Sequence, residues 1–210
     1  MADVLSEIHA LERWTAPLLR PTLHMTYQGP RIMEEVAIHY TLDHYDPFEG
    51  MATTASATVL GPVKRQGRAK YIRAWVHNLI GFPARHCRVF VDRILFEGKV
   101  IESERSPLHW TDIDGAYELP IIRTGYRNGC YIDICATDSV DERFQVISQK
   151  WTKGYHRFEK SGLYRMELTA ESAKPCSFGR FNLTAKFDAA NWKNLQVVSA
   201  EHGKKFLRWW

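Results

Sequence analysis

Arg180-Phe181-Asn182-Leu183-Thr184-Ala185-Lys186-Phe187 alternates polar and apolar side chains without a break. In an extended chain this puts Phe181, Leu183, Ala185 and Phe187 on one face and Arg180, Asn182, Thr184 and Lys186 on the other. The stretch predicts a β-strand with one buried and one wet face. Upstream, Tyr164, Met166 and Leu168 stand against Arg165, Glu167 and Thr169, and Phe144 and Val146 mark a short strand. Cys130, Ile132, Ile134 and Ala136 follow the turn-like Tyr126-Arg127-Asn128-Gly129, and Tyr117, Leu119 and Ile121 mark a further strand. Earlier still, Ile72, Ala74 and Val76 alternate with Arg73, Trp75 and His77, and Gly81-Phe82-Pro83 turns the chain back into Cys87, Val89 and Val91. The phase changes near Arg93, where a β-bulge would carry Ile94 and Phe96 inward.

The first strands follow the same rule. Leu23, Met25 and Tyr27 form one, Gln28-Gly29-Pro30 reads as a turn, and Val36, Ile38, Tyr40 and Leu42 form the next. The stretch from His44 to Ala55 reads as a loop, Ala57 to Leu60 as a short strand, and Lys64 to Lys70 as a basic connection. Strands of this kind, joined by short turns with no helical pattern between them, make an all-β, two-sheet antiparallel sandwich; a closed barrel is the alternative. Its expected core holds Ile72, Val76, Val89, Val91, Ile132, Ile134, Met166, Leu168, Phe181, Leu183 and Phe187. Residues 1–19 form a separate segment that predicts a short helix. Asp3 is its N-cap, Val4, Leu5, Ile8, Leu11 and Trp14 are its apolar stripe, and Pro17 is its stop. The sandwich is expected over 20–200 and a basic, aromatic tail over 201–210.

Composition fits this class. Of 210 residues, 45% are hydrophobic and 12% aromatic, including seven Trp and nine Tyr, which suit pleated, half-buried faces. A net charge of +4 is too small to imply nucleic acid without clustering on one face. The four cysteines, Cys87, Cys130, Cys135 and Cys176, have neither zinc spacing nor the density of a disulfide framework. The amino terminus lacks the basic flank and apolar run of a signal peptide, and no stretch approaches the ~18 apolar residues of a membrane span. The expectation is a cytoplasmic protein with reduced thiols and no cofactor.

Three runs carry a family resemblance: Ala69-Lys70-Tyr71-Ile72-Arg73-Ala74-Trp75-Val76-His77-Asn78, Pro83-Ala84-Arg85-His86-Cys87-Arg88-Val89, and Ser106-Pro107-Leu108-His109-Trp110. Their layout of strand, V-x-N, turn, A-x-x-C, strand and P-L-x-W, later followed by Gly162-Leu163-Tyr164, resembles a group of bacterial immunoglobulin-like domains. The resemblance runs from Arg20 to Val198, with 31–68 similar to an insertion. It implies an immunoglobulin-like sandwich with Cys87 and Trp110 as core plugs, and it implies no activity.

The functional signals are few. Lys64, Arg65, Arg68, Lys70, Arg73 and Trp75 form the most concentrated basic segment; cations for phosphate with an aromatic for a base would suit an anion or nucleic-acid groove, and a solvated loop is the plainer reading. His39 and His44 with Asp43 and Asp46 hold the residue types of a zinc or acid–base site, but an i/i+5 spacing on a strand points the two imidazoles apart. Cys130 and Cys135 also differ by an odd number, and they read as structural. Thr111-Asp112-Ile113-Asp114-Gly115 lacks the distal ligands of a calcium loop and reads as a turn. Common hydrolase and nucleotide signatures are absent. In the tail, Phe206, Leu207, Trp209 and Trp210 put unusual apolar area at a chain end and suggest packing on the sandwich, a partner or a membrane surface. These features favour a non-enzymatic interaction module that binds a protein partner or associates with itself. An anion-binding module is the second reading, and an enzyme or metal protein drawing on His24, His39 and His44 is the third.

Overall fold

A computed structural model describes residues 21–40, 63–79, 81–111, 116–125, 128–139, 143–148, 157–173 and 179–202. The helix expected over 1–19 and the aromatic end of the tail lie outside the described residues, as do His44, Asp43, Asp46, Cys176 and residues 112–115. The described chain is all-β. Its strands are β1 (Leu23–Tyr40), β2 (Val63–Asn78), β3 (Ala84–Phe96), β4 (Lys99–Glu102), β5 (Ser106–Pro107), β6 (Leu119–Ile122), β7 (Gly129–Asp138), β8 (Phe144–Val146), β9 (Arg157–Phe158), β10 (Gly162–Glu171), β11 (Gly179–Phe187) and β12 (Gln196–His202). One sheet has the order β1-β2-β7-β8-β9; the other has β12-β11-β10-β3-β4, with β5 and β6 also paired to β3. The ladders between these strands are antiparallel.

Alternation places the core as expected. All eleven core residues named from the sequence are buried, in one cluster that draws on both sheets. Cys87 and Trp110 are buried in the same cluster. An aromatic stack bridges the two layers: Phe144 of β8 lies 4.4 Å from Tyr164 of β10 and 5.8 Å from Phe187 of β11, measured between ring centroids. The β3–β10 ladder shifts register between Glu167 and Leu168, which leaves Asp92 as the extra residue and turns Ile94 into the core. This is the bulge that the phase change near Arg93 requires.

Three local expectations are corrected. Gln28-Gly29-Pro30 does not turn the chain: β1 runs on through it with a register shift between Tyr27 and Pro30, and Gly29 adopts φ +96°. Glycine tolerates that conformation without steric penalty, so Gly-Pro here marks a bulge rather than a hairpin. Lys64 to Lys70 is not a connection but part of β2. Cys130 and Cys135 do not simply face apart. A register shift between Ile72 and Arg73 against β7 breaks the alternation, so Ile134 and Cys135 are both buried while Cys130 is half-buried.

The first two strands outrun their sheet. β1 and β2 pair from Leu23↔Asn78 to Tyr40↔Val63, whereas β7 accompanies β2 only from His77↔Gly129 to Ala69↔Asp138. A last link joins Ser139 to Arg68, whose carbonyl accepts from the Ser139 amide at 2.8 Å. Beyond it, the pairs from Val36↔Gly67 to Tyr40↔Val63 form a two-stranded ribbon about 15 Å long at ~3.4 Å per residue. Among the described residues no third strand pairs with this ribbon. At the other end of β2, Asn78 is fully buried and ties three segments together. Its Oδ1 accepts from the Thr22 amide at 2.9 Å, its Nδ2 donates to the Phe82 carbonyl at 2.8 Å, and its own carbonyl accepts from Gly125 at 3.0 Å.

Candidate functional site

All six residues of the basic segment lie on β2, and among those whose side chains are described they do not share one parity. Lys70 shares the parity of the buried Ile72, Ala74 and Val76, and its ammonium donates to the Lys193 carbonyl at 2.7 Å. Partial burial lowers the Lys70 pKa. Arg73 and Trp75 have the opposite parity. The Arg73 guanidinium lies 4.2 Å from the centre of the Tyr131 ring, and Trp75 meets the same ring at 4.7 Å with the planes tilted by 59°. Cross-strand pairing brings these groups together: Trp75 stands between Thr26 and Tyr131, and Arg73 opposite Asp133. Arg68 is exposed one turn of the pleat further on, and Lys64 and Arg65 belong to the ribbon backbone. The alternation of the strand therefore sets Arg68 and Lys70 apart from Arg73 and Trp75.

Beside this face, Tyr71 is half-buried, and its hydroxyl pKa is pushed up to about 12 by burial, reinforced by Asp133 and Asp138. Cys135 is fully buried, and burial raises its thiol pKa, so it has no thiolate character at neutral pH. That agrees with the structural role read from its sequence position.

The histidines converge, though not in the combination the sequence suggested. His39 lies in the β1 ladder opposite Lys64, away from His24 at the other end of the strand. His24 is instead the cross-strand partner of His77, with ring centroids 5.3 Å apart and edge to face. On its other side His24 stacks on His202 of β12 at 3.9 Å. His202 also lies 5.8 Å from the Phe181 ring. His77 is almost completely buried, and desolvation lowers its pKa, with His202 adding a smaller push in the same direction and a backbone contact at Trp75 opposing it. Three imidazoles from three strands thus meet where the edge of one sheet meets the edge of the other. Neither His77 nor His202 stands out in the sequence. His77 looks like the wet partner of Val76, and His202 looks like part of a basic tail. Only strand pairing brings them to His24.

Elsewhere, His86 lies 2.6 Å from the Glu118 carboxylate, which Arg88 also contacts. These two partners hold the Glu118 pKa down, as in a solvated ion cluster. Among the described residues, no three His, Cys, Asp or Glu side chains are arranged to hold a metal ion, and no helix is long and apolar enough to cross a membrane. No family model, curated protein or solved structure matches the chain.

Proposed function

We propose that this chain is a non-enzymatic, immunoglobulin-like interaction module that takes a partner strand along the edge of β1 with which no other described strand than β2 pairs. The observation that supports this reading is the two-stranded ribbon at Val36–Tyr40 and Val63–Gly67. An isolated two-stranded ribbon is only marginally stable in water, and an unpaired edge is a template for another strand. Ile32, at the base of the ribbon, leaves 58% of its surface exposed, which adds an apolar contact beside the edge. Strand addition supplies affinity through backbone hydrogen bonds, and alternate side chains supply selectivity. A second copy of the chain provides the partner strand.

The test removes the ribbon and keeps the sandwich. Met33 and Ala69 are cross-strand partners, so replacing residues 34–68 by Asn-Gly closes β1 on β2 with a tight hairpin turn. Light scattering should show self-association of the full chain and a monomeric, cooperatively melting short variant. A full chain that stays monomeric at high concentration, or a short variant of undiminished mass, overturns the reading.

A second reading rests on Arg73, Trp75 and Tyr131, where a cation and two aromatic rings gather on one face. Single-stranded oligonucleotides should then bind with an affinity that falls steeply with salt, because neutralised phosphates release counterions. Charge reversal at Arg73 should abolish that binding. If low-salt titration shows none, this reading fails.

A further inference from the structure

We propose that Asn128 is a self-modification site, where the side-chain amide closes on the Gly129 backbone nitrogen and ends as aspartate or isoaspartate. The chain has five asparagines, followed in turn by Leu79, Gly129, Leu183, Trp192 and Leu195. Ring closure needs the following backbone nitrogen to reach the asparagine Cγ. A side chain on that following residue obstructs the approach, and glycine, with no Cβ, leaves it open. Asn128 is exposed and stands in the connection between β6 and β7, one residue ahead of β7. Asn191 and Asn194 are exposed as well, so it is the following glycine that singles out Asn128. Its Nδ2 donates to the Thr124 carbonyl at 3.2 Å, and its backbone amide to the Gly125 carbonyl at 3.1 Å. The first of these bonds is long and lies at the surface, so water reaches the side-chain amide.

The fold itself keeps glycine at position 129. A Cβ there would lie 2.4 Å from the Val76 carbonyl oxygen and 2.6 Å from the Trp75 indole. Both belong to β2, which pairs His77 with Gly129 and Val76 with Cys130. β2 is also held on its other side by β1, with Val76 opposite Met25, so that carbonyl cannot give way cheaply. The packing that seats β7 close against β2 therefore fixes, beside Asn128, the residue most favourable to ring closure. The His77↔Gly129 pair is the first of its ladder, and strand ends open most readily. Gly129 thus combines a fixed identity with a place where its nitrogen becomes available.

The step balances with water alone. The Gly129 nitrogen gives its proton to solvent and attacks the Asn128 Cγ, forming a C–N bond and a five-membered succinimide ring. The bond from Cγ to Nδ2 breaks, and Nδ2 takes a proton from solvent and leaves as ammonia. Water then adds to one of the two ring carbonyls. Opening at Cγ gives aspartate, and opening at the backbone carbonyl gives isoaspartate, whose main chain is one methylene longer. One water enters and one ammonia leaves. The attacking nitrogen must lose its proton, so conversion accelerates as pH rises. Both products exchange the donor to the Thr124 carbonyl for a carboxylate. Isoaspartate also lengthens the backbone where Gly129 has no room to move against Val76 and Trp75. The start of β7 therefore loosens as the chain ages.

Peptide mapping by mass spectrometry tests this on the full chain, held for days at mildly alkaline pH both native and in denaturant. The peptide that contains Asn128 and Gly129 should gain the mass of an amide turned to an acid, and an isoaspartate-specific methyltransferase should label it. In the native chain its rate should lie within severalfold of the rate in denaturant. It should also exceed that of the other four asparagines by more than an order of magnitude. Asn128→Gln cannot close a five-membered ring, so it should lose the methyltransferase label and keep the native melting curve. Amide exchange on the aged native chain should quicken severalfold over 129–132 and stay unchanged over 166–168 in the other sheet. A native rate more than an order of magnitude below the denatured one would mean that the ladder locks Gly129, and it overturns the proposal. Methyltransferase label that persists in Asn128→Gln, or aged chain whose 129–132 amides exchange as in fresh chain, overturns it as well.

Discussion

Leu183 and Asn78 show two different ways in which a single side chain holds this sandwich. Leu183 is fully buried among apolar neighbours, so Leu183→Ala removes transfer energy and leaves a cavity. The expected loss is about 2–5 kcal/mol in a denaturant titration, and a loss below about 1 kcal/mol would mean that its face is not the core face. Asn78 acts through polar groups. Asn78→Ala orphans the Thr22 amide and the Phe82 carbonyl at a buried position, and each orphan costs about 1–3 kcal/mol, so a loss of about 2–6 kcal/mol is expected. In the same experiment at neutral pH, Asn78→Asp sets a buried carboxylate against the Phe82 carbonyl and should cost at least as much as the alanine variant. Cys135 makes a kinetic prediction. Buried and with a raised thiol pKa, it should resist a thiol reagent in the native protein and react at once in denaturant, whereas half-buried Cys130 reacts in both. Native-state labelling of Cys135 at the rate of Cys130 would contradict the placement.

At the scale of elements, the legible part of the sequence is the part governed by period-two alternation. β11 follows it without interruption and β10 follows it as far as Leu168, after which Thr169 and Ala170 are both buried, and the expected apolar residues of both strands are buried. What alternation cannot show is where an irregularity stops short of a turn. Gly29-Pro30 has the composition of a hairpin, yet the chain passes straight through because β2 continues alongside and keeps pairing on both sides of the bulge. Lys64–Lys70 reads as a connection because its charges mask a strand whose partner, β1, lies on the far side of residues 41–62. The basic run is harder to read for the same reason: once it is extended as part of β2, Lys70 shares the parity of Ile72 and Ala74, and Arg73 and Trp75 have the opposite one. The histidine cluster was illegible because it depends on the register of β1 on β2 and on which edge of the second sheet carries β12. Of the three, only His24 is among the candidate residues that the sequence offers.

At the scale of the whole molecule, two phenols withdrawn from water make stability depend on pH at the alkaline end. Tyr71 and Tyr164 have hydroxyl pKa values pushed from 10.0 up to about 12, by burial first. Between those values the unfolded chain has given up protons that the native chain retains, so stability is full below about pH 10 and falls as pH rises toward about 12. Tyrosinate absorbance followed together with circular dichroism should show these two phenols ionising late, with loss of structure. Tyr71→Phe should move the alkaline transition upward. Early ionisation of all tyrosines without loss of structure would contradict their burial.

The central claim is that β1 and β2 extend past the sandwich as a ribbon awaiting a strand, and its most direct measurement is amide exchange as a function of protein concentration. Among the described residues Val36–Tyr40 and Val63–Gly67 pair only with each other, in contrast to Ile72–His77, which β1 and β7 flank on both sides. In dilute solution the ribbon should therefore exchange fast while Ile72–His77 exchanges slowly. At concentrations where light scattering reports association, the ribbon amides should become protected, those of β1 most of all, with Ile72–His77 unchanged. Ribbon protection that is high and identical at every concentration would contradict the account, because it would mean that the edge of β1 is already satisfied within a single chain.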